Sequence, residues 1–175
     1  MTTITTPAAR DGELADAIRA YLARLDPTPR NLTSAVIALA RIDELGWAPL
    51  DGYPGSDAHW LVHCLACGWQ GPRFYSHLRR ARPLKRHPGC TPNSEHSRLL
   101  AALAAYATDT CNCRTVHGTT VKEVAELFGT IAAAWRSDDR PGLLTGLERL
   151  LGPCPATAVR AAAVIEFTTH GAAPQ

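Results

Sequence analysis

Four residues carry the chemistry most readily read from this chain: Cys64 and Cys67, then, across a nineteen-residue spacer, His87 and Cys90. Each pair encloses two residues, Leu65-Ala66 in the first and Pro88-Gly89 in the second. A two-residue gap lets both side chains of a pair converge on one ion from a tight turn. Two such turns supply the four soft and borderline ligands of a closed tetrahedral zinc site. The spacing approaches the pattern of Cys-rich zinc sites, with one Cys replaced by His. Two incidental thiols would leave the mirrored spacing unexplained. A set with no open position is structural, so it organises its segment and names no reaction.

His63 directly precedes Cys64 and competes with His87 for the fourth position. Adjacent residues on a strand point to opposite faces, which favours His87 and leaves His63 near the surface. The second ring nitrogen of His87 is expected to donate to a carbonyl or carboxylate. Cys111, Cys113 and His117 form a less regular grouping, with Cys154, Asp109 or His170 as sources of a fourth ligand. The favoured reading there is two thiols in a loop and a small buried Cys154. That reading leaves one structural Zn2+ per chain.

Catalytic signals are weak. A zinc deaminase needs His-x-Glu with Pro-Cys-x-x-Cys; Pro153-Cys154-Pro155 lacks the second Cys, and no His-x-Glu occurs. Walker loop, dinucleotide glycine motif and His-Glu-x-x-His helix are all missing. The sequence therefore reads as non-enzymatic, with a metal-dependent nuclease as the third-ranked reading.

Charge points to a partner. From Ala58 to Ser94 there is no Asp or Glu, yet Arg73, Arg79, Arg80, Arg82, Lys85 and Arg86 fall inside. With a net charge of +2 for the whole chain, the remainder is acidic. Such asymmetry suits a polyanion, and these six cations are the expected phosphate contacts of a nucleic-acid-binding protein, DNA before RNA. Aromatics beside a zinc knuckle more often cover the metal than stack on bases, so Trp60 and Trp69 are assigned to packing, with Tyr75 open between packing and base stacking. The runner-up is a protein-interaction adaptor. Met1 to Arg10 lacks an apolar signal core, and no apolar run suits a bilayer, so no membrane partner is expected. A cytoplasmic location with reduced thiols follows as the expectation.

The positioning elements are mostly helical, since Ala is abundant and aromatics make up only 6%. Residues 1–10 read as disordered. Glu13 to Leu25 places Leu14, Ile18, Leu22 and Leu25 on one stripe, and Asp26-Pro27-Thr28-Pro29 ends that helix. Asn31 then caps a helix to about Leu45, with Leu32, Val36, Leu39 and Ile42 inward and Gly46 at its end. Trp47 to Ser56 reads as a Gly/Pro-rich loop. His59–His63 and Gln70–Tyr75 read as a hairpin around the Cys64–Cys67 turn, with Gly68 small enough for amides to approach sulfur. Thr91–Glu95 starts a helix continued by Leu99, Leu100, Leu103 and Tyr106. Thr120-Val-Lys-Glu123 is a capping box opening a helix with Val121, Val124, Phe128, Ile131, Ala132 and Trp135 on one face. Helices over 142–151 and 156–167 follow, with 170–175 frayed.

A knuckle on a β-hairpin, followed by a second ligand pair at a helix start, resembles a treble-clef zinc finger over about 60–106. The resemblance rests on the four ligands and their order and implies a zinc-organised hairpin plus helix; it constrains fold more than function. The resulting expectation is a mainly α fold, a helical bundle with an embedded zinc-bound hairpin and helix. Its parts are an N-terminal helical segment (11–46), a zinc module (58–107) and a C-terminal helical segment (118–168) packing with the first.

Overall fold

The structure, a computed structural model, describes residue 16 and residues 18–80, 86–90, 92–106, 111 and 113–171. The expected disorder of 1–10, Leu14, Arg82, Lys85 and Asp109 lie outside the described residues, as do the side chains of Leu100 and Tyr106. The fold is mainly α, with one small antiparallel sheet. No helix among the described residues is long and apolar enough to cross a membrane.

Helix α1, described over 18–22, ends before Leu25, the last residue of its expected apolar stripe. Ile18 and Leu22 are buried, but Ala23 has φ 47° and turns the chain out of the helix. Helix α2 (Pro29–Glu44) begins earlier than expected. Thr28, not Asn31, is its N-cap, and the Thr28 hydroxyl accepts from the Asn31 amide at 3.3 Å. Pro29 fits there because a first-turn amide has no helical partner to lose. Leu32, Ala35, Val36, Ala38 and Ile42 form the buried face, and Gly46 (φ 72°) provides the left-handed exit.

Strand β1 (Trp47–Pro49) lies within the stretch expected to be a loop. It pairs antiparallel with β2 (His59–Cys64), Trp47 opposite Cys64, and β2 pairs with β3 (Gln70–Phe74), Val62 opposite Gly71. The sheet order is β1-β2-β3. Trp60, Val62 and Cys64 point inward and His59 and Leu61 outward, which leaves His63 on the face opposite Cys64. Gly52 lets the β1–β2 connection press against α1, since a Cβ there would collide with the Arg19 carbonyl. Trp60 is fully buried, and its indole donates to the Asp51 carbonyl at 3.0 Å. Tyr53 and Tyr75 meet it edge-on at 5.3 and 6.3 Å. Tyr75 opens a short helix, α3 (Tyr75–Leu78), and is a packing residue.

After α4 (Asn93–Tyr106) come α5 (Val121–Arg136), α6 (Arg140–Leu151) and α7 (Thr157–His170). Helix α5 packs on α6 and α7, and α2 packs on α7. One continuous apolar cluster joins Ile18, Val36, Trp60, Leu78, Ile131, Leu147 and Val164, so sheet and helices share a core. Of the face expected on α5, Val124, Phe128 and Ile131 are buried, whereas Trp135 stays exposed.

The α5 capping box forms as its sequence dictates. Thr120 accepts from the Glu123 amide at 3.3 Å, and Glu123 accepts from the Thr119 and Thr120 amides at 3.0 Å each. Those amide and hydroxyl donors hold the Glu123 carboxyl below its usual pKa. Thr120→Ala should lower stability by about 1 kcal/mol, read from a urea midpoint at unchanged m-value. The Glu123 contribution is present above its unfolded pKa of about 4.3 and is lost as pH falls through the lower folded value. The gap between Glu123→Gln and the parent should therefore be larger at pH 7 than at pH 3.

Candidate metal centre

The tight turn after β2 brings Cys64 and Cys67 together. The amides of Cys67 and Gly68 bond back to the Cys64 carbonyl at 3.4 and 2.8 Å. Gly68 is required for its φ of +79°, and nothing lies within 4 Å of where its Cβ would sit. The expectation that its small size admits amides to sulfur is thus corrected; the amide approaching Cys64 is that of Ala66. The second turn repeats the device, with Gly89 at φ +75° and the Cys90 amide bonded to the His87 carbonyl at 3.2 Å.

These turns place one ligand atom each of Cys64, Cys67, His87 and Cys90 within 4.8 Å of one another, a group that could hold a metal ion. The Cys90 sulfur lies 3.9 Å from those of Cys64 and Cys67. A tetrahedron with zinc–sulfur arms of about 2.3 Å has edges of about 3.8 Å, so three thiolates and an imidazole fit zinc here. His87 Nε2 faces Cys67 at 3.0 Å. Its Nδ1 lies 2.9 Å from the Pro88 carbonyl, to which a protonated Nδ1 donates, leaving Nε2 free to ligate. Trp69 stacks on the imidazole at 4.4 Å and covers the site, as expected. Bound there, Zn2+ would supply a crosslink between the two turns.

Two neighbours were not found by sequence reasoning. His96 of α4, 8% exposed, sets its Nε2 3.2 Å from the Cys90 sulfur. Burial, then the charges of Arg86 and His87, lowers its pKa, so a neutral ring with its proton on Nε2 suits a thiolate acceptor. The signal was a His six residues beyond a ligand, at the start of a helix.

The larger surprise is Arg86. Expected to contact phosphate, it is instead 3% exposed. Its guanidinium donates to the Leu45 and Gly46 carbonyls at 2.6 and 2.7 Å and to the Cys64 sulfur at 3.3 Å. It also lies 4.1 Å over the Trp47 ring. Burial works against ionising Cys64, but the Arg86 hydrogen bond and charge, with the Ala66 amide, bring its thiol down to about 7. Three thiolates, one neutral imidazole and Zn2+ sum to one negative charge, which Arg86 matches.

The treble-clef likeness stops at ligand order. His87 and Cys90 occupy their own turn ahead of α4 and are not helical, and the hairpin is two strands of a three-stranded sheet tied to α2. Among the other predicted cations, Arg79 and Arg80 are exposed, and Arg73 is half-buried with its Nε unpartnered among the described residues.

The loop thiols lie close to the first-named candidate for a fourth ligand. Cys111, Cys113, His117 and Cys154 each bring a ligand atom within 4.8 Å of the others, a second group that could hold a metal ion. The partner found is Cys154, more than forty residues on, rather than His170.

Cys67→Ser with Cys90→Ser should abolish metal binding at the first group and raise hydrogen exchange through the described parts of 59–96, while α5–α7 stay protected. Replacing Arg86 by Met strands two carbonyls and removes the counter-charge of the thiolates. It should cost about 3 kcal/mol or more in a denaturant titration, and Arg86→Lys, a point charge without the fork, should recover only part. Wild-type stability in Arg86→Met would refute this role.

Compared with protein-family profiles, curated proteins and solved structures, the chain matches nothing.

Proposed function

We propose that this is a non-enzymatic, zinc-stabilised protein that binds the phosphate backbone of nucleic acid, DNA before RNA, through the basic surface beside its hairpin. The supporting observation is the exposure of Arg79 and Arg80 just beyond α3, within a stretch from Ala58 to Ser94 that has no acidic residue. Arg82 and Lys85 continue that basic run in sequence. Arg86 is excluded from the phosphate-binding set because it is buried. The aromatics beside the basic run are engaged elsewhere: Trp60 and Tyr75 are buried, Trp69 stacks on His87 and Phe74 lies against His59. Binding is therefore carried by charge, with little sequence preference. A four-ligand metal group has no open position for a substrate, which supports the non-enzymatic reading.

A second reading, a protein-docking adaptor, draws on Leu50, Leu61 and Leu65, which are 43%, 40% and 37% exposed. The Leu50 amide bonds to the Leu61 carbonyl at 2.9 Å, placing two of these leucines side by side.

Salt separates the two. Duplex DNA affinity should fall steeply with ionic strength, and Arg79→Gln, Arg80→Gln, Arg82→Gln should flatten the log–log slope by about 0.9 for each phosphate no longer neutralised. Metal content should not change, because these side chains are not ligands. Unaltered affinity and slope in the triple variant would move the binding surface elsewhere. No DNA binding by the parent protein at low salt would favour the adaptor.

A further inference from the structure

We propose that Cys111, Cys113, His117 and Cys154 form a second closed Zn2+ site, which staples the loop before α5 to the α6–α7 junction and whose excess negative charge is matched by the buried guanidinium of Arg160. The donor set is again three Cys and one His, with ligand atoms within 4.8 Å of one another.

The imidazole is held for the task. His117 is 6% exposed, and its Nδ1 lies 3.0 Å from the Arg149 carbonyl, the position of a donor to a main-chain acceptor, which leaves Nε2 for the ion. Arg149 in turn donates its Nε to the Val116 carbonyl at 2.8 Å, fixing the chain on either side of the ligand. Gly152 leaves space for the ring, since a Cβ there would sit 3.2 Å from the His117 Cε1 and collide with the Glu148 carbonyl. Cys154 is 8% exposed, and its sulfur accepts from the Ala156 amide at 3.4 Å.

Arg160 is the independent observation. It is 1% exposed and donates Nη1 to the Leu150 and Gly152 carbonyls at 2.6 and 3.0 Å. Its Nε and Nη2 are buried with no hydrogen-bond partner among the described residues, and no ion pair among them includes it. Burial works against its charge and lowers its pKa; the groups that act in the other direction are Cys154, then Cys111 and Cys113. A buried cation is costly without an anion, and three neutral thiols supply none. Three thiolates, a neutral imidazole and Zn2+ sum to one negative charge. Loading thus releases one proton per thiol and leaves a net charge equal and opposite to that of Arg160. The arrangement repeats that of Arg86, which also joins two carbonyls at a helix end to a Cys-rich group.

The test is metal stoichiometry of the full chain, purified under reducing conditions. Native mass spectrometry and elemental analysis should give about two zincs per chain. Cys113→Ser with Cys154→Ser should leave one, as should Cys67→Ser with Cys90→Ser. Should either variant fail to fold, a Co2+ titration of the unmodified protein decides: thiolate-to-cobalt absorbance should saturate at two equivalents. Saturation at one equivalent overturns the proposal, and so does alkylation of Cys154 in metal-saturated protein. Arg160→Gln should weaken one of the two zincs about tenfold or more in a chelator competition, with Arg160→Lys intermediate. Equal affinities in Arg160→Gln and the parent would overturn the charge-matching role.

Discussion

The guanidinium of Arg86 is the point at which the two kinds of structure in this protein meet. Helix α2 ends by offering the carbonyls of Leu45 and Gly46, and the β2 turn offers the sulfur of Cys64; Arg86 takes all three. The Trp47 ring closes the remaining face. A planar fork with fixed donor directions can do this where a flexible ammonium cannot. Because Trp47 also pairs with Cys64 across β1 and β2, the sheet register, the helix end and the metal group are set by one local arrangement. Burying that charge is tolerable only beside an anionic group, so packing and metal chemistry are mutually dependent here.

The features legible in the sequence were those encoded over a few residues. The two-residue gaps of the Cys/His pairs, the Thr120–Glu123 capping box and the alternation of β2 each state their geometry locally. Strand β1 was not legible, because Pro49 and its Gly/Pro-rich surroundings read as loop and its pairing comes wholly from β2. The helix α2 start was misplaced because Pro29 was read only as a stop, although proline is equally suited to a first turn. Charge pattern could not distinguish Arg86 from Arg79 and Arg80: one is buried and two are exposed, and only tertiary context separates them. The convergence of Cys154 on the 111–117 thiols spans two helices and leaves no short-range trace.

The helical half and the hairpin half follow one scheme. A helix end leaves carbonyls without intrahelical partners, and in both halves an arginine from outside that helix takes them while its charge faces a Cys-rich group. Few aromatics and many alanines provide limited apolar area per helix, so metal crosslinks between distant segments would add to what the core alone supplies.

The four atoms around the first group are not equally reachable. Cys64 is sealed beneath Arg86 and Trp47, Cys90 is partly covered, and Cys67 faces water. For a bound metal, ligand exchange would therefore have a direction: a competing chelator would meet Cys67 first and Cys64 last, so release would begin at the outermost sulfur.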